Sequence, residues 1–194
     1  MWQREPGKGS YARPERERRF LLRALPQGSV DPIDIEDRYI VGTRLRLRRM
    51  SDGTAAATYK LAQKVPDRAD PSLVMITNTY LSEAEYETLL AALPALTVRK
   101  TRYRMPGPVA LSVDDFRGPL AGLVLAELAV AGSEGWPPSA GLAEAAGPGA
   151  DPPPTVAEVT DDPRFTGGEL ARTGAADLRR LLAAFPGFPD PEEP

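Results

Sequence analysis

The stretch PERERRFLL, residues 14–22, places Glu15, Glu17 and Arg19 two residues apart directly before an apolar run. On an extended strand these three side chains share one face, because side chains alternate with period two; on a helix they scatter. The spacing returns along the chain. RLRLRR sets Arg44, Arg46 and Arg48 on one face and Leu45 and Leu47 on the other; TYK supplies Lys60; KTRYR aligns Lys100, Arg102 and Arg104; SVDD supplies Asp114 and LAELA supplies Glu127. Acids fall on the first and last of these segments, bases on the middle ones. Bases at this density neutralise phosphate oxygens and carboxylates ligate hard cations, so a surface that gathers both suits a chain of phosphates with a divalent cation.

A single alternating strand reads as a solvated face over an apolar core. Six such segments in phase read differently. A sheet that closes brings its first and last strands together. With the ionic faces turned inward, the lumen has a carboxylate patch (Glu15, Glu17, Asp114, Glu127). Beside it stands a basic wall (Arg19, Arg44, Arg46, Arg48, Lys60, Lys100, Arg102, Arg104). The geometric expectation is that these side chains line one cavity.

Composition narrows the chemistry. The chain has 194 residues, 42% hydrophobic and 26% charged, which fits one soluble domain or at most two small ones. Its net charge of −3 does not call for a nucleic-acid partner. It has no cysteine and no histidine, which removes disulfides, thiolate and imidazole metal sites and every histidine-based triad. Carboxylates, Lys, Arg, Tyr, Ser and Thr remain, and any metal is a hard cation such as Mg²⁺ or Mn²⁺. No apolar run approaches the ~20 residues of a membrane span, and the N-terminus lacks the apolar core of a secretory signal. A cytoplasmic location is expected.

The elements that would position these residues are mostly strands. Residues 39–50 alternate, SDG signals a turn, and 43–50 with 54–65 read as a hairpin. Strands are expected at 72–81, 97–105, 107–116 and 122–130. Ser82 and Glu85 form a capping box at the head of a helix over 82–93, and 175–185 has helical spacing. Residues 1–13 read as a flexible lead; its GKGS lacks the upstream glycine and the preceding strand of a phosphate loop. A single domain is expected over 14–185, interrupted at 132–155 by an irregular Pro/Gly/Ala-rich excursion outside the barrel and followed by a frayed tail at 186–194. The fold class is α+β, mainly β, with a barrel or curved sheet as the architecture.

In this order the segments resemble the CYTH domain, the fold of the triphosphate tunnel metalloenzymes. ERERRFLL looks like its ExExK signature, RLRLR its RxR strand, TYKLAQK its lysine strand and VRKTRYR its KxR strand. SVDDFRGPLAGLVLAELA is similar to its paired late strands, and AEVTDDPRF to its EVTxD segment. The resemblance implies an eight-stranded antiparallel β-barrel, a tunnel with a few flanking helices, that binds a triphosphate compound. It also implies roles. Glu15, Glu17 and Glu127 would be metal ligands for Mg²⁺ or Mn²⁺. Arg19, Arg44, Arg46, Arg48, Lys60, Lys100 and Arg102 would bind phosphate. Asp114 would stand near the metal or orient a base.

The implied activity is metal-dependent hydrolysis of a small-molecule triphosphate or polyphosphate. Without histidine, Lys60, Lys100 or a glutamate is left as general base, or no protein group at all. The chain departs from the pattern where Arg19 replaces the signature lysine, and where Thr77, Thr79, Ser112 and Ala129 stand at positions expected to be acidic. Those losses favour phosphate binding over two-metal catalysis. A non-catalytic polyphosphate or nucleotide sensor, and an adenylate cyclase on the same scaffold, are the alternatives. Glu158 is conceivable as an extra ligand, with a turn or capping role as the competing reading.

Overall fold

The computed structural model describes residues 11–129 apart from 55, 71 and 108, together with 142 and 151–188. The GKGS stretch, most of the 132–155 segment and the last six residues lie outside the described residues.

Alternation does produce strands. They are β1 (Arg13–Leu22), β2 (Val30–Ile40), β3 (Leu45–Ser51), β4 (Thr58–Pro66), β5 (Leu73–Leu81), β6 (Ala95–Met105), β7 (Leu111–Phe116), β8 (Val124–Ala129) and a short β9 (Thr155–Glu158). The sheet order is β5-β4-β3-β2-β6-β7-β8-β1-β9, and β5 also pairs with β1, so the first eight strands close into an antiparallel barrel. β1 makes the closure with both neighbours. Arg13–Arg16 pair with β5, Glu17–Leu22 pair with β8, and Phe20–Leu22 take up β9 on the edge that β5 has left.

One barrel strand was not expected from the sequence. β2 carries Pro32, which cannot donate to a ladder and argues against a central strand. A register shift between Val30 and Ile33, with Asp31 at φ 52°, absorbs it, so the rest of β2 pairs normally with β3 and β6. The alternation expected over 39–50 is likewise two strands. The chain turns after Ile40 through Gly42, whose φ of 75° suits a residue without Cβ, and restarts at Leu45.

Helices cover parts of the outside and one end. α1 (Glu83–Ala92) starts at the expected box: Ser82 Oγ accepts from the Glu85 N–H and Glu85 Oε2 accepts from the Ser82 N–H. It buries Tyr86 against Ile40, Leu47 and Tyr59 on the outer face of β2–β4, with the two tyrosine rings 4.9 Å apart. A second outer cluster joins Phe20, Leu22, Met105, Leu111, Val113, Val124, Ala126, Leu128 and Leu142. α2 (Gly167–Leu170) and α3 (Ala175–Ala183) plug the barrel: Phe165, Leu170, Leu178 and Leu182 pack on Leu21, Val98, Phe116 and Leu125. The interior is therefore apolar at the plug and ionic beyond it. Among the described residues no helix is long and apolar enough to cross a membrane.

Candidate anion-binding tunnel

The barrel encloses a cavity of about 470 Å³. Period two decides what lines it. β1 contributes Glu15, Glu17 and Arg19; β3 contributes Arg46 and Arg48; β4 contributes Lys60 and Lys64; β6 contributes Lys100 and Arg102; β8 contributes Glu127. Arg44 also lines the cavity, from the turn before β3 and not from a strand. Asp37 of β2 completes the ionic set. Eight basic and four acidic residues line the cavity, an excess of four positive charges in a chain whose net charge is −3.

Two expected residues are placed differently. Arg104 stands away from the cavity and pairs with Asp31, each side chain more than half exposed. Asp114 is fully buried behind the wall. It accepts from Lys100 Nζ, and from Arg102 Nε and Nη2 at 2.6 Å each. The pairing ties Lys100 and Arg102 to one buried carboxylate. Glu158 is also outside: it takes two hydrogen bonds from Arg18, at 2.9 and 2.6 Å, and one from the Thr160 hydroxyl.

Sequence reading missed Asp37 and Lys64. Asp37 is 1% exposed and accepts from Arg48 Nε and Nη2 at 2.7 and 2.8 Å, with Arg46 Nε at 3.4 Å from the same carboxylate. Lys64 donates to both oxygens of Glu17 at 3.2 and 3.3 Å. Its signal was present, since it lies four residues beyond Lys60 on the same strand face.

Thr77 and Thr79, two of the positions expected to be acidic, lie on β5 away from the cavity. The cavity-facing residues of that strand are Val74, Ile76 and Asn78.

The electrostatics follow from burial and pairing. Burial alone would raise the carboxyl pKa of Asp37, but Arg46 and Arg48 outweigh it and hold the group well below the usual range. Glu127 follows the same logic: burial is overcome by Arg102, Lys100, Lys64 and Arg19. Lys100 goes the other way. Burial lowers its pKa below that of an ordinary lysine, and the neighbouring Arg102 adds to this against the pull of Asp114.

Not every cation is matched. Arg48 and Lys60 are direct register partners across β3 and β4, and of the two only Arg48 has a carboxylate, Asp37. Lys60 has no carboxylate partner among the described residues; its ammonium rests 4.9 Å from the Tyr80 ring. The Nε atoms of Arg19 and Arg46 are buried without a hydrogen-bond acceptor among the described residues. A cavity with this positive excess matches the oxygens of a polyanion.

The carboxylates fit a resident cation less well. Their oxygens are the right donor type for Mg²⁺ or Mn²⁺. Yet among the described residues no three acidic side chains stand together as a metal-holding group. Glu17 is tied to Lys64, Glu127 to Arg102, Asp37 to Arg48, and Asp114 to Lys100 and Arg102. As arranged, the set does not fit a resident ion.

No family model matches the chain, and no curated protein does. Solved structures do. The inorganic triphosphatase NE1496 is similar with a TM-score of 0.51 and 25% identity, over 81% of this chain and 93% of that one. A second crystal structure of NE1496, described as a hypothetical protein, gives a TM-score of 0.51 and 24% identity over 82% and 99%. PH1819 from Pyrococcus horikoshii OT3 follows at a TM-score of 0.47 and 17% identity, over 62% and 80%. The eight-stranded tunnel barrel of this chain is thus shared with an inorganic triphosphatase.

Proposed function

We propose that this chain is a triphosphatase of the CYTH, triphosphate tunnel type, which binds a small-molecule triphosphate in its barrel and hydrolyses it. One observation carries the reading most: eight basic side chains converge on one cavity with four acidic ones, an excess of four positive charges inside the barrel. A chain of phosphates would neutralise that excess. The solved tunnel of NE1496, an inorganic triphosphatase, supports the same reading.

In the reaction, water attacks the terminal phosphorus, the anhydride P–O bond breaks, and orthophosphate leaves with the remaining diphosphate. Arg46, Arg48, Lys60 and Arg102 hold the non-bridging oxygens and stabilise the charge that spreads over them in the transition state. Asp37 and Asp114 fix the planes of these guanidinium groups from behind. Arg19 and Arg44 reach the ends of the phosphate chain. Lys100, ion-paired to Asp114, adds its charge to the same wall. Glu15, Glu17 and Glu127 are the carboxylates that would face a divalent cation carried by the phosphates, which would supply further charge neutralisation.

A second reading, a binder without turnover, is favoured by the uncharged lumen positions of β5 and by the arginine- and lysine-bound carboxylates. Release of phosphate from inorganic triphosphate, ATP, GTP and thiamine triphosphate, each with Mg²⁺, Mn²⁺ or excess chelator, decides. Phosphate release with a divalent cation supports the triphosphatase; tight binding with no release under any condition supports the binder. Pyrophosphate and cyclic AMP from ATP would mark a cyclase.

A further inference from the structure

A whole strand separates Lys64 from the carboxylate it binds. Lys64 on β4 is the register partner of Ile76 on β5, and β5 in turn pairs with β1. The Lys64 side chain reaches across β5 inside the cavity and donates to both oxygens of Glu17, at 3.3 and 3.2 Å. The cavity-facing residues of β5 are Val74, Ile76 and Asn78, which offer no charge to compete for the ammonium. Glu17 stands where β1 changes partner from β5 to β8, with Arg19 Nε 3.9 Å from its carboxylate. Lys64 acts on a second acid as well. Against the effect of burial, Arg102, Lys100, Lys64 and Arg19 together hold the Glu127 carboxyl well below its usual range. One ammonium thus serves two of the three carboxylates that the resemblance assigns to a metal.

We propose that the Lys64 ammonium is the built-in cation of this tunnel: it holds the position at Glu17 that a divalent ion would need, so the cavity captures triphosphate without a metal ion. The inference rests on the triphosphate reading above and adds what neutralises the carboxylate of β1 when the phosphates arrive. A bare carboxylate beside phosphates repels them, and a cation placed between the two relieves the repulsion. Mg²⁺ does this through one or two carboxylates and the phosphate oxygens. Here both oxygens of Glu17 are taken by Lys64, and Glu127 is held by Arg102. An ammonium on a flexible stem supplies the charge with no oxygen ligands of its own, and its donors can be shared between Glu17 and a phosphate. The proposal concerns capture of the phosphates; the metal requirement of turnover is read separately.

Two titrations test it. In the first, Mn²⁺ is added to the ligand-free chain and the free ion is followed by electron paramagnetic resonance. The native chain should take up no more Mn²⁺ than Glu17→Ala does. Lys64→Met removes the charge and should gain a Mn²⁺ site, which the double variant with Glu17→Ala should lose again. Lys64→Arg keeps the charge and should behave as the native chain. In the second, inorganic triphosphate is titrated by calorimetry, with Mg²⁺ or with excess chelator, at one ionic strength. The native chain should bind at least as tightly in chelator as in Mg²⁺, and Lys64→Met should bind tenfold or more tighter in Mg²⁺. Lys60→Met removes the same charge from the same strand face. It should weaken binding under both conditions and leave their ratio as in the native chain. Lys64→Gln takes the place of Lys64→Met if the latter does not fold. A native Mn²⁺ site that Glu17→Ala removes overturns the proposal. So does tighter native binding of triphosphate in Mg²⁺ than in chelator, or a folded Lys64→Met with the native ratio. If inorganic triphosphate binds under neither condition, the triphosphate reading falls, and the Mn²⁺ titration alone decides whether Lys64 holds the cation position.

Discussion

Asp37 and Arg48 are register partners across β2 and β3, joined by two parallel hydrogen bonds of 2.7 and 2.8 Å. The carboxylate is shut away from solvent while the guanidinium edge remains in the cavity wall. The pair is a bracket: it fixes the plane of Arg48 and also draws in Arg46. Asp37→Ala leaves two arginines without their counter-ion. Breaking a buried pair of this kind costs about 3–5 kcal/mol, read as a fall in the urea midpoint. Saturating triphosphate should restore part of the loss, because an anion that binds the folded state substitutes for the missing charge. A loss under about 1 kcal/mol would mean that the wall holds without the bracket.

Acid should weaken the barrel in a defined window. The carboxyl groups of Asp37 and Glu127 both titrate below their unfolded values in the fold, despite burial, because of the surrounding arginines and lysines. Above the unfolded values of about 3.9 and 4.3 their stabilisation is fully present. Below those values the unfolded chain takes up the protons first, so the contribution is lost as pH falls through the folded pKa values. Urea midpoints from pH 7 to pH 2 should decline steeply below about pH 4, and Glu127→Gln should flatten that decline. An equally steep decline in the variant would place the acid sensitivity elsewhere.

Much of the barrel was legible because its ionic side chains keep a period of two. Glu15, Glu17, Arg19, Arg46, Arg48, Lys60, Lys100, Arg102 and Glu127 were named from that phase and share the cavity. β2 was not legible: Pro32 and Asp31 read as a break, and only the bulge at Val30–Ile33 shows how a central strand tolerates them. With β2 unseen, Asp37 could not be found. β5 is illegible for another reason. With no charge along Leu73–Leu81, nothing in the strand marks which face is inner, and it is Val74, Ile76 and Asn78 that line the cavity. The Thr166–Gly168 segment reaches the cavity through tertiary packing alone, which no local pattern records.

The plug meets the tunnel at Gly167 and Tyr39. A Cβ added to Gly167 would fall 1.9 Å from the Tyr39 hydroxyl and 2.8 Å from its ring carbon, so alanine there forces the ring to move. Tyr39 is a register partner of Arg46, whose guanidinium lies 5.8 Å from the ring centre. Gly167→Ala should therefore cost about 1–3 kcal/mol by overpacking and weaken triphosphate binding through Arg46. Tyr39→Phe removes the nearest atom, so the double variant should lose less stability than the two single losses combined. Additive losses in thermal melts would show that the ring does not obstruct residue 167.

Glu17→Ala separates catalyst from binder. In the native chain Glu17 holds Lys64, and Arg19 Nε lies 3.9 Å from it. Removing the carboxylate releases both cations into a cavity already positive, so metal-free binding of triphosphate should hold or tighten. Arg46→Ala acts oppositely, deleting a charge-assisted contact and weakening binding by about 1.5–3 kcal/mol. If the triphosphatase reading is right, turnover should fall by orders of magnitude in Glu17→Ala, because a cation arriving with the phosphates loses a ligand that positions it against the reacting group. Binding titrations and phosphate release on both variants check this. Tightened binding with lost turnover assigns Glu17 to the cation that travels with the substrate. Tightened binding with full turnover would show that the first strand's carboxylate tempers the field of the tunnel and takes no part in the reaction.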